Sequence, residues 1–314
     1  MLVSMKEILA EARNGKYGVA APNVINEDTA RVCIEAAVEM RAPLILDFAY
    51  QFHPDIVSLG KIICMLAQTA TVPIAVNLDH GASFEQAIWA IRAGFTSIMV
   101  DRSSASYEDN IRDTAELVKI AHAVGVSVEA ELGHVGDGGH YARDREQGLT
   151  DPAKAREYAD RTGIDCLAVA IGTAHGAYSG EPHLDFGRLK AIGREVDIPR
   201  VLHGGSGSGN DNLLKAIQCG ITKINIATDL FVAGVAAGTQ EGPPYMIYHR
   251  IREGYKQRLK GYMELFGQSG RAGGRVSSPI LSYFQNLFRS RSCCLIRIPL
   301  YPLNRVQTLK SVSR

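Results

Sequence analysis

Short apolar runs alternate with longer segments of helical periodicity along the first 272 residues, and this alternation limits the fold more than any other feature. The runs are apolar at successive positions, as expected for strands that are covered on both faces. Several of the longer segments begin at a capping residue, such as Ser83, and end before a glycine, such as Gly94. Strand-then-helix units of this kind, repeated eight times, predict an α/β fold of the (β/α)8 TIM-barrel type.

The positions of these units can be read from the sequence. Strands are predicted at residues 18–21, 43–48, 73–78, 97–100, 126–131, 166–171, 200–202 and 223–226. Helices are predicted at residues 27–41, 83–93, 107–124, 152–161 and 210–219, among others. A doubly wound sheet is the alternative, but it normally has a glycine-rich first turn, and Ala20-Ala21-Pro22-Asn23 contains no glycine. The barrel is therefore favoured.

The charge distribution divides the chain near residue 272. Residues 273–314 carry seven basic side chains and no acidic one. Subtracting these seven from the 34 basic residues leaves 27 against 33 acidic ones in residues 1–272, a net charge of −6. We therefore predict a single catalytic domain over residues 1–272 and an atypical, basic and irregular C-terminal extension over residues 273–314.

Composition excludes several classes of protein. The whole chain has a net charge of +1, which gives no electrostatic argument for nucleic acid as a partner. No apolar run reaches the roughly 18 residues that would cross a bilayer. An acidic residue, Glu7, comes too early for a signal peptide. The six cysteines have neither disulfide-framework nor metal-finger spacing. A cytoplasmic protein without a membrane partner is expected.

Three of the nine histidines share one context. His80, His175 and His203 each come at the end of a predicted strand, and each is followed by a glycine. The carboxyl ends of barrel strands meet on one face of the molecule, where barrel active sites lie. Three imidazoles that leave one coordination position open are the ligand set of a catalytic zinc ion. The pattern therefore predicts a Zn²⁺ site.

Carboxylates occur at the same strand ends. Asp79 directly precedes one predicted ligand, and a carboxylate beside a metal-bound oxygen is placed to exchange a proton with substrate. Asp101 and Glu131 end the next two strands. They are predicted either to form a second metal position or to orient the imidazoles from outside.

Small residues follow the last two strands. Gly204-Gly205-Ser206-Gly207 comes after the seventh strand, and residues 225–228 end the eighth. Many barrels bind phosphate at this place, where backbone N–H groups and small hydroxyls can surround a dianion. Together with the metal site, these residues predict a phosphorylated small-molecule substrate.

Five ordered motifs carry a family resemblance. They lie at residues 78–81, 129–133, 170–176, 202–207 and 223–228. They resemble the motifs of the class II, metal-dependent ketose-bisphosphate aldolases, which include fructose- and tagatose-1,6-bisphosphate aldolases, and the similarity runs from about residue 3 to Ala272. The resemblance implies a zinc barrel, a homodimer or homotetramer, that cleaves a ketose bisphosphate to dihydroxyacetone phosphate and an aldehyde.

Matched position by position, the resemblance also implies roles for single residues. His80, His175 and His203 would hold the zinc ion, Asp79 would take the C4 hydroxyl proton, and Asp101 and Glu131 match a second position for a divalent or monovalent cation. The segment 136–150 resembles a mobile loop that supplies a further acid/base, for which Glu146 is the candidate. The substrate contacts would be Asn23, Gly176, Gly204, Gly205, Ser206, Asn225, Ile226, Ala227 and Thr228.

The chain departs from the family pattern on the aldehyde side. Ala49 stands where a serine is usual, and Arg102 replaces the glycine of an Asp-Gly-Ser motif. The Asp-Pro-Arg segment of some members is absent from this sequence. The choice between fructose, tagatose and another sugar is therefore open.

Two other functions are possible for a chain with these residues. The first is a Schiff-base aldolase with Lys223 as nucleophile, which would leave the three histidines unexplained. The second is a catalytically silent barrel that serves as a partner subunit or binds a sugar phosphate. The presence of Asp79 with all three histidines argues against it.

Overall fold

The computed structural model describes residues 1–141, 146 and 148–272. Within them, eight parallel strands close into a barrel in the order β1-β10-β9-β7-β5-β4-β3-β2, and β6 pairs with β8 outside it. The strands are β1 (Val19–Val24), β2 (Leu44–Ala49), β3 (Ile74–Gly81), β4 (Ser97–Val100), β5 (Ser127–Leu132), β6 (Gly136–Asp137), β7 (Cys166–Val169), β8 (Ala174–His175), β9 (Arg200–Leu202) and β10 (Ile221–Ile226). The predicted barrel is confirmed.

Helices surround this barrel. They are α1 (Met5–Gly15), α2 (Glu27–Met40), α3 (Ile56–Thr69), α4 (Phe84–Ala93), α5 (Tyr107–Ala123), α6 (Pro152–Thr162), α7 (Phe186–Glu195), α8 (Asn210–Gln218), α9 (Thr228–Gly238) and α10 (Ile247–Leu265), with short 3-10 turns at Gly138–His140 and Pro244–Met246. Their ends follow the local sequence: Ser83 Oγ accepts from Gln86 N before α4, and Gly94 ends α4 in the left-handed conformation.

The strand predicted at residues 166–171 is shorter in the structure. It ends at Val169, because the backbone of the next residue is hydrogen-bonded to Thr150. Ala170 N donates to Thr150 Oγ1 (2.8 Å), and Thr150 N donates to Ala170 O (2.9 Å). The chain then turns into β8, which places His175 above the barrel rim. The apolar pattern of residues 166–171 does not predict these hydrogen bonds, because they join residues that are 20 positions apart.

The core has two parts. The larger lies between the strands and the surrounding helices. The smaller fills the lower barrel interior, where α1 side chains such as Met5 and Leu9 pack on inward-facing strand residues such as Ile45 and Val201. α1 therefore packs against the amino-terminal end of the barrel interior. Among the described helices, none combines the length and the apolar character needed to span a bilayer.

The extension predicted at residues 273–314 lies outside the described residues. Its character stays a prediction.

Candidate active site

A cavity of about 590 Å³ opens at the carboxyl ends of the barrel strands. Its wall contains most of the predicted site residues, which come from seven different strand ends. These are Asn23, Asp79, His80, Asp101, Glu131, His175, Gly176, Gly204, Gly205, Ser206, Asn225, Ala227 and Thr228. Residues that are more than 200 positions apart in sequence therefore share one concave surface, as expected for a barrel active site.

Three imidazoles meet at the base of this cavity. His80 Nε2 lies 3.2 Å from His175 Nε2 and 2.9 Å from His203 Nδ1. A tetrahedral zinc ion with Zn–N bonds of 2.0–2.1 Å has its ligand nitrogens about 3.3 Å apart, so these spacings fit a shared metal ion. His203 is fully buried behind the other two and is therefore not part of the cavity wall.

The charge state of the cluster also fits a cation. Burial lowers the pKa of His203, and burial together with the neighbouring imidazoles lowers the pKa of His175 to about 3. Burial acts in the same direction on His80, but Asp79 and Asp101 raise its pKa to about 10. Two of the three imidazoles are therefore neutral near pH 7, and the carboxylates around His80 favour one positive charge at the cluster.

Carboxylates fix the outer nitrogens of two of these rings. His80 Nδ1 lies 2.7 Å from Asp101 Oδ2, and His203 Nε2 lies 2.9 Å from Glu129 Oε1. Such partners set the tautomer and the ring orientation of a metal-binding histidine. Sequence reasoning gave no role to Glu129, although its position two residues before Glu131 on one strand places both carboxylates on the same side of β5.

The backbone at the end of β3 explains how two adjacent residues reach one site. His80 has a left-handed φ of 49°, which is uncommon for a residue other than glycine and is a strain typical of functional sites. The turn brings His80 Nε2 to 3.9 Å from Asp79 Oδ1, so both side chains border the cavity as predicted.

Two amides hold the carboxylate of Asp79. Asn23 Nδ2 donates to Oδ2 (2.7 Å), and Asn225 Nδ2 donates to Oδ1 (3.0 Å). Burial raises the pKa of Asp79, but the positive charge near His80 and His203 and the ammonium of Lys223 bring it below its ordinary value. The side chain is therefore an ionised, oriented base at neutral pH.

Glu131 lies beside the histidine cluster with one oxygen unused. Its Oε1 accepts from Val135 N (2.8 Å), whereas Oε2 is buried and has no hydrogen-bond partner among the described residues. Burial and the charge of Asp101 raise the pKa of Glu131 to about 8. One donor atom each from His80, Asp101 and Glu131 lie within 4.8 Å of one another, which fits either of the two predicted roles.

Another part of the cavity wall consists of small residues and the first turn of α9. The first turn of α9 has no side-chain cap of its own, and Ser206 Oγ accepts from Ala227 N (3.1 Å) and Asp229 N (3.3 Å). Gly204 has a φ of +65°, and a Cβ there would lie 2.2 Å from Ala174 O, so close packing alone requires glycine. The helix start supplies the positive dipole that suits a phosphate.

Two predicted site residues lie elsewhere. Ile226 is fully buried in the apolar core and does not line the cavity. Glu146 is not on the cavity wall either. Asp137 is on it, and its Cα pairs in register with that of His175 across β6 and β8. The predicted loop thus contributes a carboxylate that sequence reasoning did not single out.

Lys223 is not positioned as a Schiff-base nucleophile. It is fully buried, with Nζ 2.8 Å from Glu129 Oε2 and 3.1 Å from Asp47 Oδ2, and it does not line the cavity. Burial lowers its pKa, but the two carboxylates raise it above the ordinary value, so the amine stays protonated. This environment disfavours the first rival function.

Comparison with known proteins agrees with the motifs. The sequence model of the family "Fructose-bisphosphate aldolase class-II" matches residues 3–271. The chain is 42% identical to a fructose-bisphosphate aldolase of Thermus caldophilus over 87% of this chain and 100% of that one, and 40% identical to one of Geobacillus stearothermophilus over 86% and 99%. Among solved structures, the YdjI aldolase of Escherichia coli K12 aligns with a TM-score of 0.79 at 37% identity, over 87% of this chain and 100% of that chain.

Proposed function

The chain belongs to the class II fructose-bisphosphate aldolase family, and from this premise we propose that it is a zinc-dependent enzyme that reversibly cleaves a ketose 1,6-bisphosphate. Fructose 1,6-bisphosphate is the proposed substrate, and dihydroxyacetone phosphate and glyceraldehyde 3-phosphate are the proposed products. The observation that carries the proposal is the convergence of three imidazole nitrogens at 2.9 and 3.2 Å beside an oriented carboxylate.

His80, His175 and His203 would hold the metal ion. A nitrogen-only set of three borderline ligands with an open position suits zinc better than Mg²⁺ or Ca²⁺, which prefer oxygen. When bound, the ion supplies a Lewis acid that polarises the ketone of the substrate. Asp101 and Glu129 would keep the rings of His80 and His203 oriented for it.

Asp79 would act as the base for cleavage. Its carboxylate accepts the proton of the C4 hydroxyl, C4 becomes the carbonyl carbon of the aldehyde, and the electron pair of the C3–C4 bond stays on C3. The electron pair on C3 then takes up a proton to complete dihydroxyacetone phosphate. The hydrogen bonds from Asn23 to Oδ2 and from Asn225 to Oδ1 support this role because they fix the orientation of the carboxylate that receives the proton.

The phosphate on C1 would bind at the small-residue end of the cavity. A Cβ at Gly176 would meet no atom within 4 Å, so this glycine leaves open space, and the backbone of Gly204 and Gly205 lines the same wall. Ser206 and Thr228 offer hydroxyls beside the start of α9. Asn225 and Ala227 line the same end. The apolar side chain of Ile226 supports no contact, so any contribution from this residue would come from its backbone.

We further propose that His80, Asp101 and Glu131 form a second cation position. The unpartnered Glu131 Oε2 supports this, because a buried carboxylate oxygen without a donor costs free energy unless a cation or water satisfies it. The hydrogen bond between His80 and Asp101 supports the orienting role instead. A dependence of turnover on K⁺ or a second divalent ion, lost in Glu131→Gln, would decide between them.

A second copy of the chain is the proposed partner. Large apolar side chains are exposed on α9 and at the start of α10: Val232, Val235, Ile247 and Tyr248. A contiguous apolar patch on a protein surface marks an interaction site. A homodimer or homotetramer is expected by static light scattering of the full chain, and a monomer would contradict the proposal. The unpaired thiols of Cys33, Cys64, Cys166 and Cys219 support a reducing, cytoplasmic location.

A single set of assays tests the proposed function. The purified protein is assayed for aldol cleavage of fructose 1,6-bisphosphate and of tagatose 1,6-bisphosphate, each before and after chelation and after zinc is restored, with bound metal measured in parallel. Cleavage that chelator abolishes and zinc restores is expected. Cleavage that resists chelation would favour the Schiff-base rival. Zinc binding without cleavage of either sugar would favour the catalytically silent barrel.

The sugar preference rests on the aldehyde side of the cavity. There Arg102 Nη1 donates to Ala82 O (2.6 Å), and Nε lies 3.2 Å from Asp113 Oδ2, so much of its guanidinium is already engaged. Ala49 provides no hydroxyl in a position where the family usually has serine. The assay therefore compares fructose and tagatose 1,6-bisphosphates, which differ in configuration at C4.

A further inference from the structure

The two chain segments that carry His175 and His203 contact each other directly. Ala174 precedes one of these histidines and Gly204 follows the other, and both residues are buried. A Cβ on Gly204 would lie 2.6 Å from Ala174 C and 2.9 Å from Ala174 N, so the two backbones pack without space between them. The distance between Ala174 and Gly204 therefore helps to set the distance between the two imidazoles.

One hydroxyl joins these two segments by hydrogen bonds. Tyr178 Oη accepts from Ala174 N (2.9 Å) and donates to Gly204 O (2.9 Å). Ser208 Oγ also donates to Gly204 O (2.8 Å) and lies 3.1 Å from Tyr178 Oη. Because Ala174 is buried, its N–H group would lose free energy of hydrogen bonding without the tyrosine hydroxyl. The hydroxyl thus holds the end of β8 against the end of β9.

The ring of Tyr178 is itself held in place by neighbours. It packs edge-on against the ring of Tyr141, with centroids 4.9 Å apart, and Tyr141 Oη donates to Gly172 O (2.9 Å). A Cβ on Gly207 would lie 3.2 Å from Tyr178 Cδ2, so the ring also lies against the loop that follows His203. These contacts involve the ring and not the hydroxyl. A phenylalanine should therefore keep the ring position and lose only the two hydrogen bonds.

We propose that Tyr178 is a positioning residue, whose hydroxyl joins the ends of β8 and β9 and so sets the spacing of His175 and His203 at the metal site. The inference rests on the proposed function only in taking the three histidines as the metal ligands. Tyr178 does not line the cavity, so it acts through the backbone and contacts neither the metal nor the substrate.

The test compares two variants with the wild type, all as full-length proteins. Tyr178→Phe removes both hydrogen bonds of the hydroxyl and leaves Ala174 N without its partner. Ser208→Ala removes the other hydrogen bond to Gly204 O and leaves Ala174 N bonded to Tyr178. Its effects are therefore expected to be smaller than those of Tyr178→Phe.

Thr162→Val is the matched control for a general loss of stability. It removes a buried hydroxyl that donates to Tyr158 O (2.6 Å) on α6, away from the histidines. Urea unfolding of all four proteins gives the unfolding free energy against which the other measurements are compared.

Three readouts separate positioning from general destabilisation. The first is hydrogen exchange of the Ala174 amide in the metal-free protein, followed by NMR of ¹⁵N-labelled protein. The second is zinc affinity, measured by competition with a chelator. The third is the visible spectrum of the Co²⁺-loaded protein, which reports the geometry of the metal ligands. In Tyr178→Phe we expect faster exchange at Ala174, at least about tenfold weaker zinc binding and a changed Co²⁺ spectrum. Thr162→Val should match the wild type in all three.

Each outcome supports or overturns the proposal. A folded Tyr178→Phe protein with the zinc affinity and the Co²⁺ spectrum of the wild type overturns it. So does an equal loss of zinc affinity in Thr162→Val, because the effect would then be one of stability. Free exchange of the Ala174 amide in the wild type overturns it even if the variant does not fold. If the wild type binds zinc but cleaves no ketose bisphosphate, the proposed function fails, while the comparison of zinc affinities still decides this inference.

Discussion

At the scale of single residues, the proposed chemistry depends on three imidazoles. Their ring nitrogens lie close to one another and to the carboxylates of Asp101 and Glu129. Among the three proposed ligands, His175 is the one whose loss should disturb the barrel least, because it lies on β8, outside the closed sheet. We expect His175→Ala to abolish zinc retention and cleavage and to leave the fold intact. Elemental analysis and circular dichroism check this. His183→Ala, at a nearby histidine outside the imidazole cluster, is the control and should retain zinc.

Asp79 should behave differently from the ligands. Asp79→Ala is expected to keep zinc and to bind dihydroxyacetone phosphate, while turnover falls by about 10²–10⁴-fold, the usual contribution of a general base. Steady-state kinetics and metal content together make the distinction. Turnover near that of the wild type would remove Asp79 from the mechanism. Loss of zinc would instead assign it to metal binding.

The sequence allowed the three histidines to be identified, but not the buried carboxylates that lie behind them. His80, His175 and His203 stand out because each ends an apolar run and precedes a glycine. Asp47 and Glu129 lie inside such runs, where a charged residue looks like an interruption. Their contacts form only when the fold brings Asp47 to Lys223, 176 positions away, and Glu129 to His203, 74 positions away. No local sequence pattern encodes these contacts.

At the scale of elements, the strands and helices followed their local signals closely. The strands at 97–100 and 200–202 have the predicted bounds, and α5 differs by one residue from its predicted end. What the sequence did not reveal is the small β6–β8 sheet, since two-residue strands have no periodicity. This sheet fixes the backbone of the loop beside the histidine cluster: Gly138 packs so closely that a Cβ would lie 2.6 Å from Ala177 O.

The β6–β8 pairing leads to a prediction about the loop acid/base. Asp137 lies on the cavity wall in register with His175, whereas Glu146, the candidate from the sequence, does not line the cavity. We expect Asp137→Asn to lower turnover by about 10²-fold and Glu146→Gln to lower it less. Exchange of the C3 proton of dihydroxyacetone phosphate with D₂O, measured by NMR, should fall in parallel with turnover. The opposite ranking of the two variants would return the role to Glu146.

At the scale of the whole molecule, the barrel joins a stable lower half to a strained, charged upper half. Apolar side chains from α1 and the strands fill the bottom. Above them come the buried ion pairs of Lys223, then the histidines and the left-handed backbone of His80. Buried charge and strain are tolerated at the carboxyl face because packing elsewhere over-determines the fold. The alternation of strands and helices could predict the barrel. It could not predict the order of the apolar layer, the ion pairs and the histidines along the barrel axis, because that order depends on the register between strands.

The last described residues are bonded to the body of the barrel, whereas the domain limit at residue 272 stays a prediction. Gln268 is fully buried: its side chain accepts from Ala20 N (2.6 Å) and donates to Pro43 O (3.0 Å). Further on, Gly270 N donates to Met40 O, and Ala272 N donates to Arg41 O. The last turn of the domain is thus bonded to β1 and to the end of α2.

From these contacts we expect a variant that ends at Ala272 to keep the zinc content, the aldolase activity and the unfolding free energy of the full chain. Gln268→Ala in the full chain is the matched comparison. It leaves two buried backbone groups without partners and should lower the unfolding free energy by about 2–4 kcal/mol. Urea unfolding, zinc content and turnover are measured on all three proteins. If the shortened chain is as unstable as Gln268→Ala, or loses activity with its zinc still bound, residues 273–314 belong to the working enzyme and the domain does not end at Ala272.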